Sequence, residues 1–221
     1  MVKIIKIQQR ITSSNDTEAE KLRMELRDRG IFALNLMSSP GSGKSTFLKA
    51  TAKQLKNRAR MGVLEADIDS AVDAEAMAKE GITTLQLHTD GMCHVDADMM
   101  RQGLEEMDLE DVEILFLENV GNLICPAEFD TGCHKNVMIL SVPEGDDKPL
   151  KYPLMFSTSD AVIISKLDTL PYFDFSLERA EERIMRLNPK CRIFPLSAKT
   201  GEGMSGWIEW LIEERDRCFH D

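Results

Sequence analysis

The stretch that decides the fold runs from residue 31 to residue 46 and reads IFALNLMSSPGSGKST. Its first half is an almost unbroken apolar run, which is typical of a strand covered on both faces. Its second half is rich in glycine and serine and leads into a segment that is compatible with a helix. An apolar strand, a glycine-rich loop and a helix in this order predict the first unit of a parallel α/β sheet.

Strand-like and helix-like segments alternate outward from this unit. The apolar runs predict strands at residues 31–37, 61–66, 82–87, 112–117, 137–142, 161–164 and 192–196. The segments between them predict helices at 44–58, 71–79, 96–107, 177–187 and 204–217. We expect a mostly parallel sheet with helices on both faces. Residues 112–142 lack a helix between their two strands, so an antiparallel pairing could enter there.

A further helix is expected before the first strand. The run Ser13-Ser14-Asn15-Asp16 offers N-cap side chains, and Gly30 is a suitable stop. No Pro/Gly/Ser-rich linker or internal repeat divides the chain. We therefore expect an N-terminal helical segment, residues 1–30, packed on one domain, residues 31–221.

The composition is that of a globular protein with an acidic balance. The chain has 221 residues, with 27 Lys or Arg against 38 Asp or Glu, so the formal net charge is −11. Hydrophobic residues make up 43%, which supports a sizeable core. The negative charge argues against nucleic acid or an anionic membrane as a partner, because both attract basic surfaces. Without a bilayer-length apolar run or a signal-peptide layout, we expect a cytoplasmic protein with reduced cysteines.

The glycine-rich loop has the chemistry of a phosphate-binding P-loop. Ser38 stands where the strict pattern has its first glycine, but the Gly-Lys-Ser end is intact. Glycines let consecutive N–H groups point at phosphate oxygens, and the following helix adds its positive end. Lys44 is expected to reach the β- and γ-phosphates, and the Ser45 hydroxyl to face Mg²⁺. The predicted phosphate-binding residues are Gly41, Ser42, Gly43, Lys44, Ser45 and Thr46.

Acidic residues at the ends of two predicted strands suggest the magnesium side of the same site. Asp67 ends the second strand and Glu118 ends the fourth. Ligands of parallel sheets gather at the carboxyl ends of the strands, and Mg²⁺ needs only one or two carboxylates. Asp73 is a further candidate and Asp69 a weaker one. We expect Asp67 and Glu118 to act with Lys44 in catalysis.

Two later motifs predict a guanine base. Lys166 and Asp168 occupy the last positions of an Asn-Lys-x-Asp guanine reader, in which the carboxylate accepts two hydrogen bonds that adenine cannot supply. Lys166 is expected to lie over the base. The loop that meets the guanine oxygen is expected at Ser197, Ala198 and Lys199. Ser165 replaces the Asn, which predicts weaker or less selective binding.

A third constellation consists of Cys93, His94 and Cys125, ligand types that suit Zn²⁺ and Ni²⁺. Adjacent Cys93 and His94 can converge on one ion only where the backbone turns, and Pro126 is expected to hold Cys125 extended in a loop. Three ligands leave a tetrahedral shell incomplete, which suits a site that hands metal on. Core packing of free cysteines is the alternative. Because Cys125 follows Glu118 closely, nucleotide hydrolysis could reshape the site.

The remaining cysteines and histidines have weaker signals. Cys133-His134 is a second adjacent pair, which we expect to pack or cap a strand rather than bind metal. Cys191 and Cys218 are expected to be structural. His88 and His220 have no convincing partner in the sequence.

Taken together, these motifs resemble one family. The P-loop 40–45, Cys93–Ala97, the run 118–126 (ENVGNLICP) and Glu144-Gly145-Asp146-Asp147 are similar to the hydrogenase nickel-incorporation GTPase HypB. The resemblance implies the P-loop GTPase (SIMIBI-like) fold of signal-recognition and MinD-type proteins, with metal-site loops inserted. It implies slow Mg²⁺-dependent GTP hydrolysis coupled to nickel insertion into [NiFe] hydrogenase. It also implies Ni²⁺ or Zn²⁺ on Cys93, His94 and Cys125 at the interface of a nucleotide-promoted homodimer, with a hydrogenase large-subunit precursor and a small nickel-binding maturation protein as partners.

The chain departs from the family pattern in three places. Ala66 replaces the usual Gly before Asp67, and Ser165 replaces the guanine-reading Asn, which predicts weakened nucleotide affinity. Residues 1–30 lack a His-rich or Cys-rich extension, so we expect no bulk nickel storage there.

Three other functions are compatible with parts of this pattern. A urease-type or cobalamin-type accessory GTPase shares the P-loop, but the urease type has Cys-Pro-His where this chain has Cys-Pro-Ala at 125–127. An ATP-dependent P-loop kinase would prefer ATP and need no metal-linked dimer. A non-enzymatic metal scaffold would bind nucleotide without hydrolysing it.

Overall fold

The computed structural model describes residues 8–67, 77, 82–89 and 91–220 of the chain. Within these residues, seven strands form one sheet: β1 (Phe32–Ser38), β2 (Met61–Asp67), β3 (Thr83–His88), β4 (Ile114–Glu118), β5 (Lys135–Ser141), β6 (Ala161–Ser165) and β7 (Arg192–Pro195). Their order is β3-β2-β4-β1-β5-β6-β7, and each neighbouring pair is parallel. The predicted α/β class and the seven predicted strands are confirmed.

Helices connect the strands. They are α1 (Gln8–Asp28), α2 (Lys44–Leu55), α3 (Ala97–Glu106), α4 (Lys148–Lys151), α5 (Pro153–Ser157), α6 (Leu177–Leu187) and α7 (Met204–His220). Short 3₁₀ turns lie at Cys125–Ala127, Val142–Glu144 and Leu167–Tyr172. The predicted helix at 71–79 lies outside the described residues except for Met77, which is buried. None of the helices described is long and apolar enough to cross a lipid bilayer.

Strand β1 shows why the helices occupy both faces. Side chains alternate between the two faces of a strand, and every residue of β1 is buried. Phe32, Leu34 and Leu36 pack with side chains of α2 and α7, whereas Ala33 packs with side chains of α1 and α3. A strand covered on both sides has no need of polar alternation, which explains the continuous apolar run in the sequence.

The predicted antiparallel pairing within residues 112–142 is wrong. β4 and β5 do not pair with each other, because β1 lies between them and pairs in parallel with both. The chain therefore crosses the carboxyl edge of the sheet between β4 and β5 without a helix longer than a 3₁₀ turn. This long crossing carries Cys125 and brings it to the same edge as the loop after β1.

The predicted start of the N-terminal helix is also wrong, whereas its stop is confirmed. α1 begins at Gln8, so the run 13–16 lies inside the helix. Asn15 has a tertiary role instead: its Nδ2 donates to the Asp130 carbonyl at 2.8 Å and its Oδ1 accepts from the Ala97 N–H at 3.0 Å. Gly30, with φ of +73°, follows the helix in the left-handed conformation that favours glycine.

An aromatic cluster joins α7 to the sheet. Trp207 is fully buried and its Nε1 donates to Thr51 Oγ1 at 3.1 Å. Its ring lies 5.2 Å from Phe47 and 5.8 Å from Phe194, measured between ring centroids. The cluster thus fixes α7 against both α2 and the sheet edge.

We expect Trp207→Ala to lower the free energy of unfolding by about 3–5 kcal/mol, because a large cavity replaces the indole. Urea denaturation followed by circular dichroism measures the change. Met185→Ala, at a side chain that is 40% exposed, is the control and should stay within about 0.5 kcal/mol of wild type. Equal losses for the two variants would show that the cluster does not hold α7.

Candidate nucleotide and metal sites

The loop between β1 and α2 has the backbone of a phosphate cradle. Gly41 has φ of +73° and Gly43 has φ of +100°, values at which a side chain would strain the backbone. Gly43 is the N-cap of α2, and residue 44 is the first residue of the helix. The positive end of a twelve-residue helix therefore faces the loop, as a bound phosphate requires.

Lys44 is already oriented toward the carboxyl edge of the sheet. Its Nζ donates to Ser38 Oγ at 3.1 Å and lies 3.9 Å from Glu118 Oε1. Ser38 is the residue that replaces the first glycine of the strict motif. Its hydroxyl is buried and serves as an acceptor for the lysine, which a glycine could not provide.

A cavity of about 390 Å³ opens between this loop and the ends of β2 and β4. Its walls include Lys44, Ser45, Glu65 and Glu118 together with the P-loop glycines. These hydroxyl and carboxylate oxygens are hard ligands of the type that suits Mg²⁺. Asp67 is the last residue of β2, and its side chain lies outside the described part. Asp69 and Asp73 also lie outside it.

Sequence reasoning missed Glu65. It lies directly opposite Glu118 in the β2–β4 register, is 3% exposed, and lines the same cavity. The sequence could have indicated Glu65, because it stands two residues before Asp67 and residues i and i+2 of a strand share a face.

A second cavity of about 280 Å³ adjoins the first and shares Gly43 and Thr46 with it. Its remaining walls include the predicted base-reading residues Lys166, Asp168, Ala198 and Lys199. The hydroxyl of Ser42, which also lines it, is buried and has no hydrogen-bond partner among the described residues. A phosphate compartment beside a base compartment, with an unsatisfied hydroxyl between them, fits a nucleotide lying across α2.

The predicted base-reading segment is tied to the P-loop. Ser165 Oγ donates to the Ser42 carbonyl at 2.9 Å, and Lys166 Nζ donates to the Gly41 carbonyl at 2.7 Å. The serine that replaces the family Asn thus makes a contact that holds the two loops together. Lys166 itself has φ of +60°, a strained value for a non-glycine residue.

Asp168 and the last predicted loop also meet. Ser197 Oγ donates to Asp168 Oδ1 at 2.6 Å, and the same hydroxyl accepts from the Thr200 N–H at 3.2 Å. The carboxylate is therefore oriented by a buried serine. Because Asp168 also lines the second cavity, its carboxylate can meet a donor of a base bound there.

The structure brings Cys93, His94 and Cys125 together, with potential ligand atoms within 4.8 Å of one another. The two sulfur atoms are 2.6 Å apart, and Cys93 Sγ lies 3.8 Å from His94 Nδ1. His94 stacks on Phe129 with 3.8 Å between ring centroids. Burial lowers the pKa of His94, which favours the neutral ring that binds metal, although Asp96 and Glu128 oppose the shift. The hydrogen bond with Cys93 is the largest cause that raises the pKa of Cys125, and burial of the thiol is the second.

Local sequence explains how these ligands are presented. Cys93 and His94 lie in a turn just before α3, and Asp96 caps that helix by accepting from the Met99 N–H at 2.9 Å. The expectation that Pro126 holds Cys125 extended is wrong, because Cys125 begins a 3₁₀ turn with Pro126 in its first turn. Proline fits the start of a helical turn, where its missing N–H is not needed.

The segment that leads to Cys125 packs on the phosphate loop at a glycine. A Cβ built on Gly121 would lie 3.0 Å from Pro40 Cγ and 3.1 Å from Pro40 N. The crossing that continues to Cys125 therefore packs directly on the P-loop backbone. Nearer the cluster, Asn122 Nδ2 donates to the Cys93 carbonyl at 3.5 Å.

The other cysteines and histidines have structural surroundings. His134 Nδ1 accepts from the Ala33 N–H at 3.0 Å, and burial lowers its pKa to about 4. Burial raises the pKa of both Cys133 and Cys191 to about 12. His88 ends β3, and Cys218 and His220 lie on α7. The expected capping role of His134 and packing role of Cys191 agree with these positions.

Comparison with known proteins shows the family to which the chain belongs. The family model described as "CobW/HypB/UreG, nucleotide-binding domain" matches residues 32–195. The hydrogenase maturation factor HypB of Rhizobium leguminosarum bv. viciae is 43% identical over 209 residues, which covers 95% of this chain and 70% of that protein. The chain belongs to the HypB family. The family resemblance seen in the sequence is thereby confirmed.

Solved structures place this HypB-family chain among P-loop GTPase folds. HypB from Helicobacter pylori, solved in complex with nickel, has a TM-score of 0.88 and 36% identity, covering 94% of this chain and 98% of that one. The signal recognition particle 54 kDa protein of Aeropyrum pernix K1, in complex with GDP, has a TM-score of 0.57 and 15% identity, covering 84% and 49%. The second likeness shows the fold alone.

The HypB motif at 144–147 has a scaffolding role in this chain. Glu144 Oε2 accepts from the Ser141 N–H at 2.8 Å and from the Ser141 hydroxyl at 2.7 Å, which caps the turn after β5. Burial raises the pKa of the Asp146 carboxyl, but hydrogen bonds from the Ser176 N–H and from Arg179 and Arg183 of α6 outweigh it and lower the pKa. The motif therefore anchors α6 beside β6.

We expect Cys93→Ala and Cys125→Ala each to weaken Ni²⁺ and Zn²⁺ binding by at least the roughly 10–100-fold that loss of an outer-shell partner costs. Each variant removes one of three converging ligand atoms. Metal titration with a competing chelator measures the affinity. Cys218→Ala, a half-buried thiol on α7, should bind like wild type. If the double alanine variant keeps wild-type affinity, the cluster is not the metal site.

Proposed function

We propose that this protein is a Mg²⁺-dependent GTPase that holds a nickel ion and releases it during maturation of [NiFe] hydrogenase. Membership of the HypB family supports the maturation role. One observation in the chain itself carries the mechanism: Gly121, on the crossing from Glu118 to Cys125, packs on Pro40 of the P-loop. A change at the terminal phosphate can therefore move a thiolate ligand.

In this proposal the first cavity binds the phosphates. Lys44 leaves Ser38 and Glu118 to neutralise the β- and γ-phosphate oxygens, and the N–H groups at the start of α2 hold the same oxygens. Ser45, Asp67 and Glu118 would hold Mg²⁺, which supplies charge neutralisation between the phosphates when bound. Lys44, Asp67 and Glu118 are the proposed catalytic residues.

The second cavity is proposed to read guanine. Asp168 is oriented by Ser197 so that one oxygen accepts from the base, whose paired donors distinguish guanine from adenine. Lys166 covers the base face, and the backbone at Ala198 and Lys199 meets the guanine oxygen. The amide contact of the family Asn is missing, and Ser165 instead stiffens the P-loop side of the pocket. The Asp168 contact favours GTP over ATP, and the missing Asn amide makes the affinity for GTP modest.

The cargo of the metal cluster is proposed to be nickel, with zinc as a competitor. Two thiolates and a neutral imidazole suit either ion. The similar HypB from Helicobacter pylori was solved in complex with nickel, which supports nickel for this chain. Three ligands leave the shell open to a water or to a second copy of the chain. Exposed Met92 and Ile124 flank the two cysteines, which supports an interface at this point.

We place the protein in the cytoplasm, as a homodimer that GTP promotes. Its partners in this proposal are the hydrogenase large-subunit precursor, which receives the metal, and a small nickel-binding maturation protein. The net charge of −11 supports the expectation that neither nucleic acid nor a membrane is a partner.

Lys44→Ala should abolish Mg²⁺-dependent GTP hydrolysis, with a loss of at least about 10²–10³-fold in rate, because the developing phosphate charge loses its cation. Phosphate release measured with GTP and with ATP reports both rate and base preference. Lys53→Ala, an exposed lysine on the same helix, and Cys93→Ala should retain basal GTP hydrolysis. Wild-type protein that binds GTP without turnover would identify a scaffold, and faster turnover of ATP would identify a kinase-type site.

GTP with Mg²⁺ should increase the molar mass of the protein in solution from monomer toward dimer, because the metal clusters of two copies complete each other. Multi-angle light scattering with Mg²⁺ and GDP, and then with a non-hydrolysable GTP analogue, measures the change. The Cys93→Ala, Cys125→Ala double variant should respond less to the analogue. One unchanged mass in all states of the wild type would contradict the dimer.

A further inference from the structure

A buried side chain from the phosphate cavity holds the backbone beside the metal-site histidine. Asn119 Oδ1 accepts from the Val95 N–H at 3.3 Å and from the Val120 N–H at 2.9 Å. Val95 follows His94 directly, so the first bond fixes the peptide that carries the imidazole. Asn119 is completely buried, and water cannot replace a lost bond there without cost.

Asn119 is equally part of the nucleotide side. It follows Glu118 at the end of β4, and its own N–H donates to the Leu36 carbonyl of β1 at 3.0 Å. It lines the 390 Å³ cavity together with Glu118 and Gly121, the residue that packs on Pro40. A displacement of this segment by a terminal phosphate therefore displaces the Asn119 amide.

The orientation of that amide is determined by its neighbours. Two backbone N–H groups require the oxygen on the metal side, and Nδ2 then donates to Asn35 Oδ1 at 2.9 Å. Asn35 Nδ2 continues the chain to Asn136 Oδ1 at 3.0 Å. Asn119 cannot rotate without leaving buried donors unsatisfied, so it transmits movement rather than absorbing it.

Among the described residues, the other side chains that hydrogen-bond to or stack on the Cys-His segment do not line the phosphate cavity. Asn15 of α1 binds the Ala97 N–H, and Phe129 stacks on the imidazole, but neither residue lines the phosphate cavity. Asn122 bonds the Cys93 carbonyl at 3.5 Å, the limit of a hydrogen bond, and it does not line that cavity either.

We infer that Asn119 is the positioning residue that couples the phosphate cavity to the Cys93–His94 half of the metal site. Cys125 moves with the crossing because it belongs to that segment, whereas Cys93 and His94 come from the segment between β3 and α3 and need a side-chain link. The Asn119 amide is that link, so both halves of the metal site respond to the nucleotide together. The inference rests on the proposed GTPase and nickel functions.

The test is a ratio of Ni²⁺ dissociation constants on the full chain. One dissociation constant is measured with saturating GDP and the other with a saturating non-hydrolysable GTP analogue, each with Mg²⁺. Wild type should show a ratio of about fivefold or more, the lower end of typical couplings between sites. Asn119→Ala should bring the ratio close to one. Asn136→Ala, which removes the far end of the amide chain, is the matched control and should keep the wild-type ratio.

A residue with a purely structural role would weaken Ni²⁺ binding equally in both nucleotide states and leave the ratio intact. That result for Asn119→Ala would overturn the inference while the proposed function stands. A ratio of one in the wild type would instead contradict the proposed coupling itself, and the inference with it.

A second readout is independent of nickel. The Val95 amide resonance should shift between GDP and analogue in the wild type and stop responding in Asn119→Ala, while the Gly43 amide still responds.

If circular dichroism shows that Asn119→Ala does not fold, Asn35→Ala replaces it, because this change frees Nδ2 of Asn119 from its anchor on β1. Asn35→Ala should then lower the ratio, and an unchanged ratio would overturn the inference.

Discussion

The parallel pairing of β1 with β4 is the constraint on which the rest of the structure depends. It sets Leu36 opposite Glu118, so the loops that follow the two strands leave the sheet at the same edge. One loop becomes the P-loop and the other becomes the crossing to Cys125. Because a sheet spaces neighbouring strands by only about 4.8 Å, these loops must pack on each other, and Gly121 is the residue that permits the contact with Pro40.

Electrostatics at this edge prepare the loops for an anion. In a chain of net charge −11, three lysines line the nucleotide cavities. Two of them, Lys44 and Lys166, are held by oxygens of the P-loop or of the strand ends. These contacts are replaceable: a phosphate oxygen can substitute for the Ser38 hydroxyl at Lys44, and a base can displace Lys166 from the Gly41 carbonyl. The lysines are thus oriented before a ligand arrives, which lowers the ordering cost of binding.

The cluster of Cys93, His94 and Cys125 lies at the same edge but draws its side chains from two segments distant in the chain. Cys93 and His94 offer two potential ligand atoms and Cys125 the third, so neither segment alone supplies the set. The buried Asn119 amide and the half-buried Asn15 side chain hold these segments by hydrogen bonds, and Phe129 stacks on the imidazole. Polar networks of this kind have discrete arrangements rather than a continuum, which is the property a site needs if a distant ligand is to switch it.

The sequence by itself determined the class of fold, the glycine-rich loop between β1 and α2, and which cysteines and histidine cluster. These features depend on local periods, on glycines at left-handed positions and on ligand chemistry, all of which neighbouring residues specify. Only the tertiary structure decided that β1 separates β4 from β5, that residues 13–16 lie inside α1, and that Cys125 starts a 3₁₀ turn. It also revealed Glu65 and Asn119. Their roles depend on strand register and on contacts between residues such as 95 and 119, and a pairing across such separations leaves no local pattern in the chain.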